Sequence, residues 1–331
     1  MWHYPTIHDI VRARSIISRY LPRTPLYPSP VLSRLIGADI YVKYENHQPV
    51  GAFKVRGGIN RISQMSDDER YRGVLTVSTG NHGQSIAYAS HLFGVHARIV
   101  VPERSNPDKV MAMRDLGAEI IFHGKDFDEA RMYGEELSRE KGYTFIDSGN
   151  EPLLIAGVGT IGIEIIEDLP DVEVVIVPVG GGSSAAGNSI VASAINPAIE
   201  VIAVQSEGAN CVHLSWKTGE FVRTQEAATF AEGLATRVPF ELPLSLMRDN
   251  IREFILVSDT EIKRAILLLF RATHNIAEGA GASPLAAALK IKEHVKGRKV
   301  ALILSGGNLT LETLHSIMSD PQLTEGIMET L

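Results

Sequence analysis

The stretch Glu173–Gly187, E-V-V-I-V-P-V-G-G-G-S-S-A-A-G, decides how the chain is read. Its first half is apolar and rich in β-branched residues, as a strand covered on both faces would be. Its second half sets three glycines and two serines ahead of a helical pattern. Glycines let a backbone approach a ligand closely, and the unpaired N–H groups that open a helix attract an anion. Such charge-assisted bonds contribute about 1.5–3 kcal/mol each, so a few can hold a phosphate. Gly180, Gly181, Gly182, Ser183 and Ser184 match neither a Walker A loop, since no Gly-Lys-Ser/Thr follows, nor the spaced dinucleotide fingerprint. They read as a compact phosphate cup, against the plainer reading of a tight strand–helix turn.

Working outward, short β-branched runs alternate with longer amphipathic stretches along the whole chain. Strands are expected at Ile40–Tyr44, Val74–Ser78, Arg98–Val101, Glu119–Phe122, Val174–Val179, Val201–Gln205, Phe254–Val257 and Val300–Leu304. Helices are expected at Ser85–Phe93, Pro107–Leu116, Asp126–Lys141, Pro152–Asp168, Thr260–His274 and Pro284–Val295. Gly94, Gly117, Gly142 and Gly297 each follow a helical stretch, where a left-handed closing residue is favoured. This alternation predicts an α/β fold of mostly parallel sheets with helices on both faces. Two arrays separate: residues 71–148 as a small domain, and residues 1–70 with 149–331 as a large discontinuous one. A cleft between two such sheets is the default ligand site.

Composition narrows the class. The chain has 331 residues, 44% of them hydrophobic and 21% charged, which supplies a buried core and excludes disorder. With 32 Lys and Arg against 39 Asp and Glu, the net charge is −7, without the basic footprint of a nucleic-acid binder. A single cysteine, Cys211, excludes an internal disulfide framework and a cysteine-based zinc site. No apolar run approaches a membrane span and the N-terminus lacks signal-peptide character, so the expectation is a soluble intracellular protein.

Three further segments carry chemical residues. In Gly51–Gly58, G-A-F-K-V-R-G-G, Lys54 follows Phe53 at the expected start of a helix. A helix N-terminus and partial burial both lower a lysine's pKa and make it a nucleophile. Arg56, two positions on, does not share its face and takes a structural role. In Ser78–Gln84, S-T-G-N-H-G-Q, hydroxyls, an amide and an imidazole meet at a strand end. That suits binding a carboxylate or a ring hydroxyl, and suits an ordinary N-cap equally well. His82 by itself reads as a hydrogen-bonded structural histidine rather than a catalytic base. In Ser305–Asn308, S-G-G-N closes an apolar strand, and Glu278 heads the small-residue run E-G-A-G-A. Glu278 is either a helix N-terminal acid or a site residue.

Taken in order, GAFKVRGG, STGNHGQ, PVGGGSSAAG, EGAGA and SGGN resemble the pyridoxal-phosphate enzymes of the tryptophan-synthase-β fold, also called fold type II. The likeness is greatest to threonine/serine dehydratases and serine racemases, and it covers about Ile7 to Leu314. The resemblance implies a cofactor, pyridoxal 5′-phosphate, in the interdomain cleft. Lys54 would form the Schiff base, with Phe53 beside the pyridine ring. Asn81 would meet the ring hydroxyl, Gly180 to Ser184 the phosphate, and Ser305 the pyridine nitrogen. Ser78, Thr79, Gly80 and His82 would surround the substrate carboxylate.

The implied activity is an ammonia-lyase that turns a β-hydroxy amino acid such as L-threonine or L-serine into a 2-oxo acid and ammonia. A serine at the pyridine nitrogen brings no charge to stabilise a pyridinium, which favours prompt loss of the β-hydroxyl. The alternatives are a serine racemase, or a dehydratase for a larger substrate such as phenylserine or hydroxyaspartate. Racemases of this family carry a serine as second base where this chain has Thr79, whose extra methyl speaks against racemisation. Related metal-binding enzymes use two carboxylates where this chain has Gln205 and Cys211, so no divalent metal is expected there. The expected partners are a small amino-acid substrate and a second copy of the chain, as a homodimer in the cytoplasm, with no nucleic acid and no membrane.

Overall fold

The computed structural model describes residues 3–330. Ten strands form two sheets: β1 (Leu26–Pro28), β2 (Asp39–Tyr44), β3 (Val74–Val77), β4 (Ala97–Val101), β5 (Glu119–Phe122), β6 (Thr144–Phe145), β7 (Val174–Pro178), β8 (Glu200–Ser206), β9 (Glu253–Val257) and β10 (Lys299–Leu304). One sheet runs β5-β4-β3-β6, all parallel. The other runs β1-β2-β10-β7-β8-β9 and is parallel except where β1 pairs with β2. The fold class read from the apolar runs is therefore the fold observed. No described helix is long and apolar enough to cross a membrane.

The chain divides into two compact units, residues 1–22 with 54–158 and residues 23–53 with 159–331. The first contains the four-stranded sheet, whose β3 is buried at every position and packs with Val100, Ala130 and the flanking Phe127 and Leu137. The second contains the six-stranded sheet, whose core joins Val174, Ile176, Ile202, Val204, Val300 and Leu302 to the helices Asp259–Thr273 and Gly279–Lys290.

This division differs from the expected boundaries at 70/71 and 148/149. The helix Lys54–Ser63 packs on helix Asn81–Leu92 and on helix Ile7–Ile17, which draws Ile7–Ile17 and Lys54–Ser63 into the first unit, while the helix Pro30–Ile36 between them stays with the second. Glycines make that packing close. A methyl at position 58 would lie 2.7 Å from the Ser85 carbonyl oxygen, and one at position 57 would lie 3.0 Å from the Leu154 carbonyl oxygen. Only a bare backbone lets helices approach this closely, so the GG of GAFKVRGG is what fixes the lysine helix.

Candidate functional site

The first unit carries the lysine. Lys54 is the first residue of its helix, and Ser85 on helix Asn81–Leu92 donates to the Lys54 carbonyl at 2.7 Å. Lys54 is half-buried, and its amine donates to the Ser148 carbonyl at 3.4 Å. Burial pushes the amine down to about 8, with the Asp147 carboxylate pulling the other way. A lysine near this value has roughly a tenth of its amine unprotonated at pH 7, against a fraction of a thousandth at the ordinary value. The sequence reading of Lys54 as an activated amine thus has its physical cause in desolvation.

His82 lies in the same unit and is buried. Its Nε2 meets the Thr76 hydroxyl at 2.8 Å, and that hydroxyl donates to the Ile146 carbonyl at 2.8 Å. The Thr76 proton is thereby spent, so Nε2 carries the hydrogen and Nδ1 is the bare nitrogen. Nδ1 is buried without a partner. Burial first, and the Lys54 charge second, push His82 down to about 3, so the ring is neutral beside the amine. Its side chain is turned to the sheet, and what His82 can offer a carboxylate is its backbone N–H.

Ser78 is likewise committed. Its Oγ accepts from the Gly83 N–H at 2.9 Å and the Gly80 N–H at 3.2 Å, capping the helix that follows. Thr79, Gly80 and Asn81 are half-buried around that helix start. The first-turn N–H groups outside the helical ladder form an anion-binding end. The N-cap position belongs to Gly80, and the hydroxyl of Ser78 ties down the helix start from two residues ahead of it.

The second unit carries the glycine cup, which runs from the end of β7 into helix Ser183–Ile195. Gly182 takes the left-handed φ of +89° at the N-cap, where a side chain would be strained and would meet the Met247 methyl at 2.7 Å. A methyl at position 180 would overlap the Gly233 carbonyl, which belongs to the turn Glu232–Leu234. Sequence reasoning did not single out that turn as the cup's wall. Ser305 is buried at the end of β10, and its carbonyl accepts from the Phe53 N–H at 3.0 Å. Ala52 and Gly306 form an antiparallel bridge, so GAF and SGG lie side by side although about 250 positions apart in sequence.

Glu278 occupies the N-cap of helix Gly279–Lys290 without capping it through its side chain. Its Oε1 would lie 2.6 Å from a methyl at Gly306 and 3.9 Å from one at Gly233. The carboxylate thus lies against Gly306, at the Ser305–Gly306 end, while the residue itself heads its helix. Gln205 and Cys211 are both buried. The Gln205 Oε1 accepts from the His213 N–H at 3.0 Å, and the Cys211 thiol donates to the Thr236 carbonyl at 2.9 Å. Burial pushes that thiol up to about 12, far from the thiolate a soft metal would require. Sequence reasoning also missed Asp147 and Arg131. The run D-S-G-N at 147–150 is an Asx-turn signature that would have flagged the first.

Comparison with known proteins agrees with this chemistry. The chain is 41% identical over 321 residues to L-threonine ammonia-lyase of Thermotoga maritima, covering 97% of this chain and 80% of that one. It is 38% identical over 320 residues to the L-threonine dehydratase catabolic TdcB of Staphylococcus aureus, covering 96% and 92%. Among solved structures, maize serine racemase superposes with a TM-score of 0.91 at 32% identity, covering 96% of this chain and 97% of that chain. The profile of the family described as "Pyridoxal-phosphate dependent enzyme" matches residues 17–306. On that span of match and those relatives, the chain belongs to the pyridoxal-phosphate dependent enzymes.

Proposed function

We propose that the protein is an ammonia-lyase that removes water and then ammonia from a β-hydroxy amino acid, L-threonine or L-serine by default, leaving a 2-oxo acid. The observation that carries this reading is the Lys54 amine, half-buried at its helix start, bonded to the Ser148 carbonyl and held down to about 8 beside a neutral imidazole. The relatives named for threonine ammonia-lyase and dehydratase activity support the substrate class.

The residues present fit pyridoxal 5′-phosphate. Gly180–Gly182 are packed against the Gly233 carbonyl, the Phe240 ring and Met247, so the turn tolerates no side chain and leads with bare backbone into the helix that Ser183 and Ser184 open. In this reading Lys54 would hold the cofactor covalently, with Phe53 beside its ring, Asn81 at its hydroxyl and Ser305 at its ring nitrogen. When bound, pyridoxal phosphate supplies an electron sink for the pair left behind as a Cα proton departs. Exchange of the substrate's amine for that of Lys54 on the cofactor would free Nζ, which would then take that proton, its lowered pKa letting it act as a base near neutrality. The helix N-terminus at Thr79–His82 orients the substrate carboxylate through backbone N–H groups. Thr79 offers only a crowded hydroxyl to the opposite face of Cα, which favours elimination over racemisation. The reading extends to Gln205 and Cys211 holding no divalent ion and to the chain acting as a cytoplasmic homodimer.

The test is a panel of hydroxy amino acids assayed for 2-oxo acid and ammonia, with borohydride reduction of the holoenzyme and peptide mapping. The pyridoxyl group is expected on Lys54 and the oxo acid as main product. Label on another lysine, or D-amino acid formed faster than oxo acid, would overturn the reading.

A further inference from the structure

We propose that Asp147 is a positioning residue for the Lys54 amine: Arg131 anchors one carboxylate oxygen, the other folds the turn that brings the Ser148 carbonyl to Nζ, and the negative charge fixed there acts on the amine. The inference rests on Lys54 being the working amine, and it concerns only the first unit. At the end of β6, Asp147 Oδ2 receives Arg131 Nη2 at 2.6 Å. Asp147 Oδ1 accepts from the Gly149 N–H at 2.8 Å and the Asn150 N–H at 3.0 Å. Those two bonds close an Asx-turn, and the residue inside it is Ser148, whose carbonyl meets Lys54 Nζ at 3.4 Å. The two bonds of the Asp147 side chain thus fix the backbone on which that carbonyl sits.

The carboxylate has a second, electrostatic effect. It favours the protonated amine, against the desolvation that disfavours it. The other group facing the amine is His82 on helix Asn81–Leu92, which is neutral. Glu151, farther along the same segment, is engaged by Arg61 at 3.0 Å, and Glu135 by Arg131 at 2.9 Å. Helix Ile7–Ile17 also packs on the lysine helix, and its Asp9 is turned to Thr6. Asp147 therefore moderates a lysine that burial alone would make still less basic, and so keeps the amine able to hold a proton as well as give one up.

The experiment compares the wild-type chain with Asp147→Asn, Asp147→Ser and Arg131→Met. The full-length, cofactor-free protein is acetylated competitively with trace acetic anhydride across pH, and the Lys54 peptide is quantified by mass spectrometry. Asn and Ser keep a turn-closing oxygen and lose the charge, so the Lys54 midpoint should fall by about half a pH unit or more. Arg131→Met keeps the charge and loses the anchor. Its midpoint should not fall, while kcat of the holoenzyme drops roughly tenfold at nearly constant KM. An unshifted midpoint in both folded Asp147 variants would overturn the proposal. So would wild-type kcat in Arg131→Met, which serves as the test should the Asp147 variants not fold. Because acetylation needs no cofactor, the result is separable from the borohydride mapping that tests Lys54 itself.

Discussion

Replacing Gly180 by alanine tests whether the phosphate cup is shaped by backbone contact rather than by sequence motif alone. The added methyl would lie 3.1 Å from the Gly233 carbonyl carbon and overlap its oxygen. A comfortable carbon–oxygen contact is about 3.3 Å or more, so one strand of backbone must retreat by roughly an ångström. Gly233 cannot retreat freely, because a methyl on its own Cα would already be 2.8 Å from the Ala280 methyl behind it. The displacement therefore falls on the cup. Overpacking of this kind costs about 1–3 kcal/mol of stability. Loss of a single charge-assisted bond to phosphate costs about 1.5–3 kcal/mol more, or about tenfold in affinity for each 1.4 kcal/mol. The assay is a fluorescence titration of the cofactor-free chain with pyridoxal phosphate, beside thermal unfolding. Gly180→Ala should weaken binding about 10–100-fold. Gly181→Ala should be milder, since its methyl meets only the Phe240 ring at 3.0 Å, and a ring can rotate away. Equal affinities for Gly180→Ala and the wild type would refute the reasoning.

Two further outcomes follow from buried groups. His82 has a folded value near 3 and an ordinary value of 6.5, so the unfolded chain binds its proton first as pH falls. The stability this contributes is complete above pH 6.5 and is lost between about 6.5 and 3; the advantage of wild type over His82→Gln in denaturant titrations should shrink across that window, and a constant difference would count against a neutral, buried ring. With Gln205 and Cys211 engaged by the His213 N–H and the Thr236 carbonyl, activity should survive exhaustive chelation and not rise on adding Mg²⁺ or Ca²⁺. A large reversible loss would point to oxygen ligands elsewhere.

Much of this was legible in sequence because its physics is local. Continuous apolar runs mark strands covered on both faces, and Gly94, Gly117, Gly142 and Gly297 all take positive φ where helices were expected to close. What was lost depends on contacts distant in sequence. Strands β1 and β6 have three and two residues, too short for any periodicity, and exist only because a neighbouring strand pairs with them. Pro284 suggested the first turn of a helix, yet the helix begins at Gly279 and carries the proline inside. The glycines ahead of it are there for close approach: a methyl at Gly279 would lie 2.6 Å from the Ala231 methyl and one at Gly281 would press on the Gly306 carbonyl. A composition of small residues signals such contact without saying with what.

The same distinction explains why Lys54 was found and its neighbours were not. A lysine after an apolar residue at a helix start is a local pattern, but its pKa is set by what encloses it. Desolvation alone would drive the amine toward permanent neutrality, and a strong ion pair would hold it permanently charged. The structure avoids both ends. The ring of His82 is kept neutral by burial and by a tautomer fixed through Thr76, so it adds no positive charge. Asp147 adds negative charge while bonded to Arg131, so its pull is partial. The contact to Nζ itself is a carbonyl, which accepts from either protonation state of the amine. The role proposed for Lys54, taking a proton and returning it within one turnover, would need that intermediate setting, which is built from residues on β3, the end of β6 and two helices that no single stretch of sequence contains.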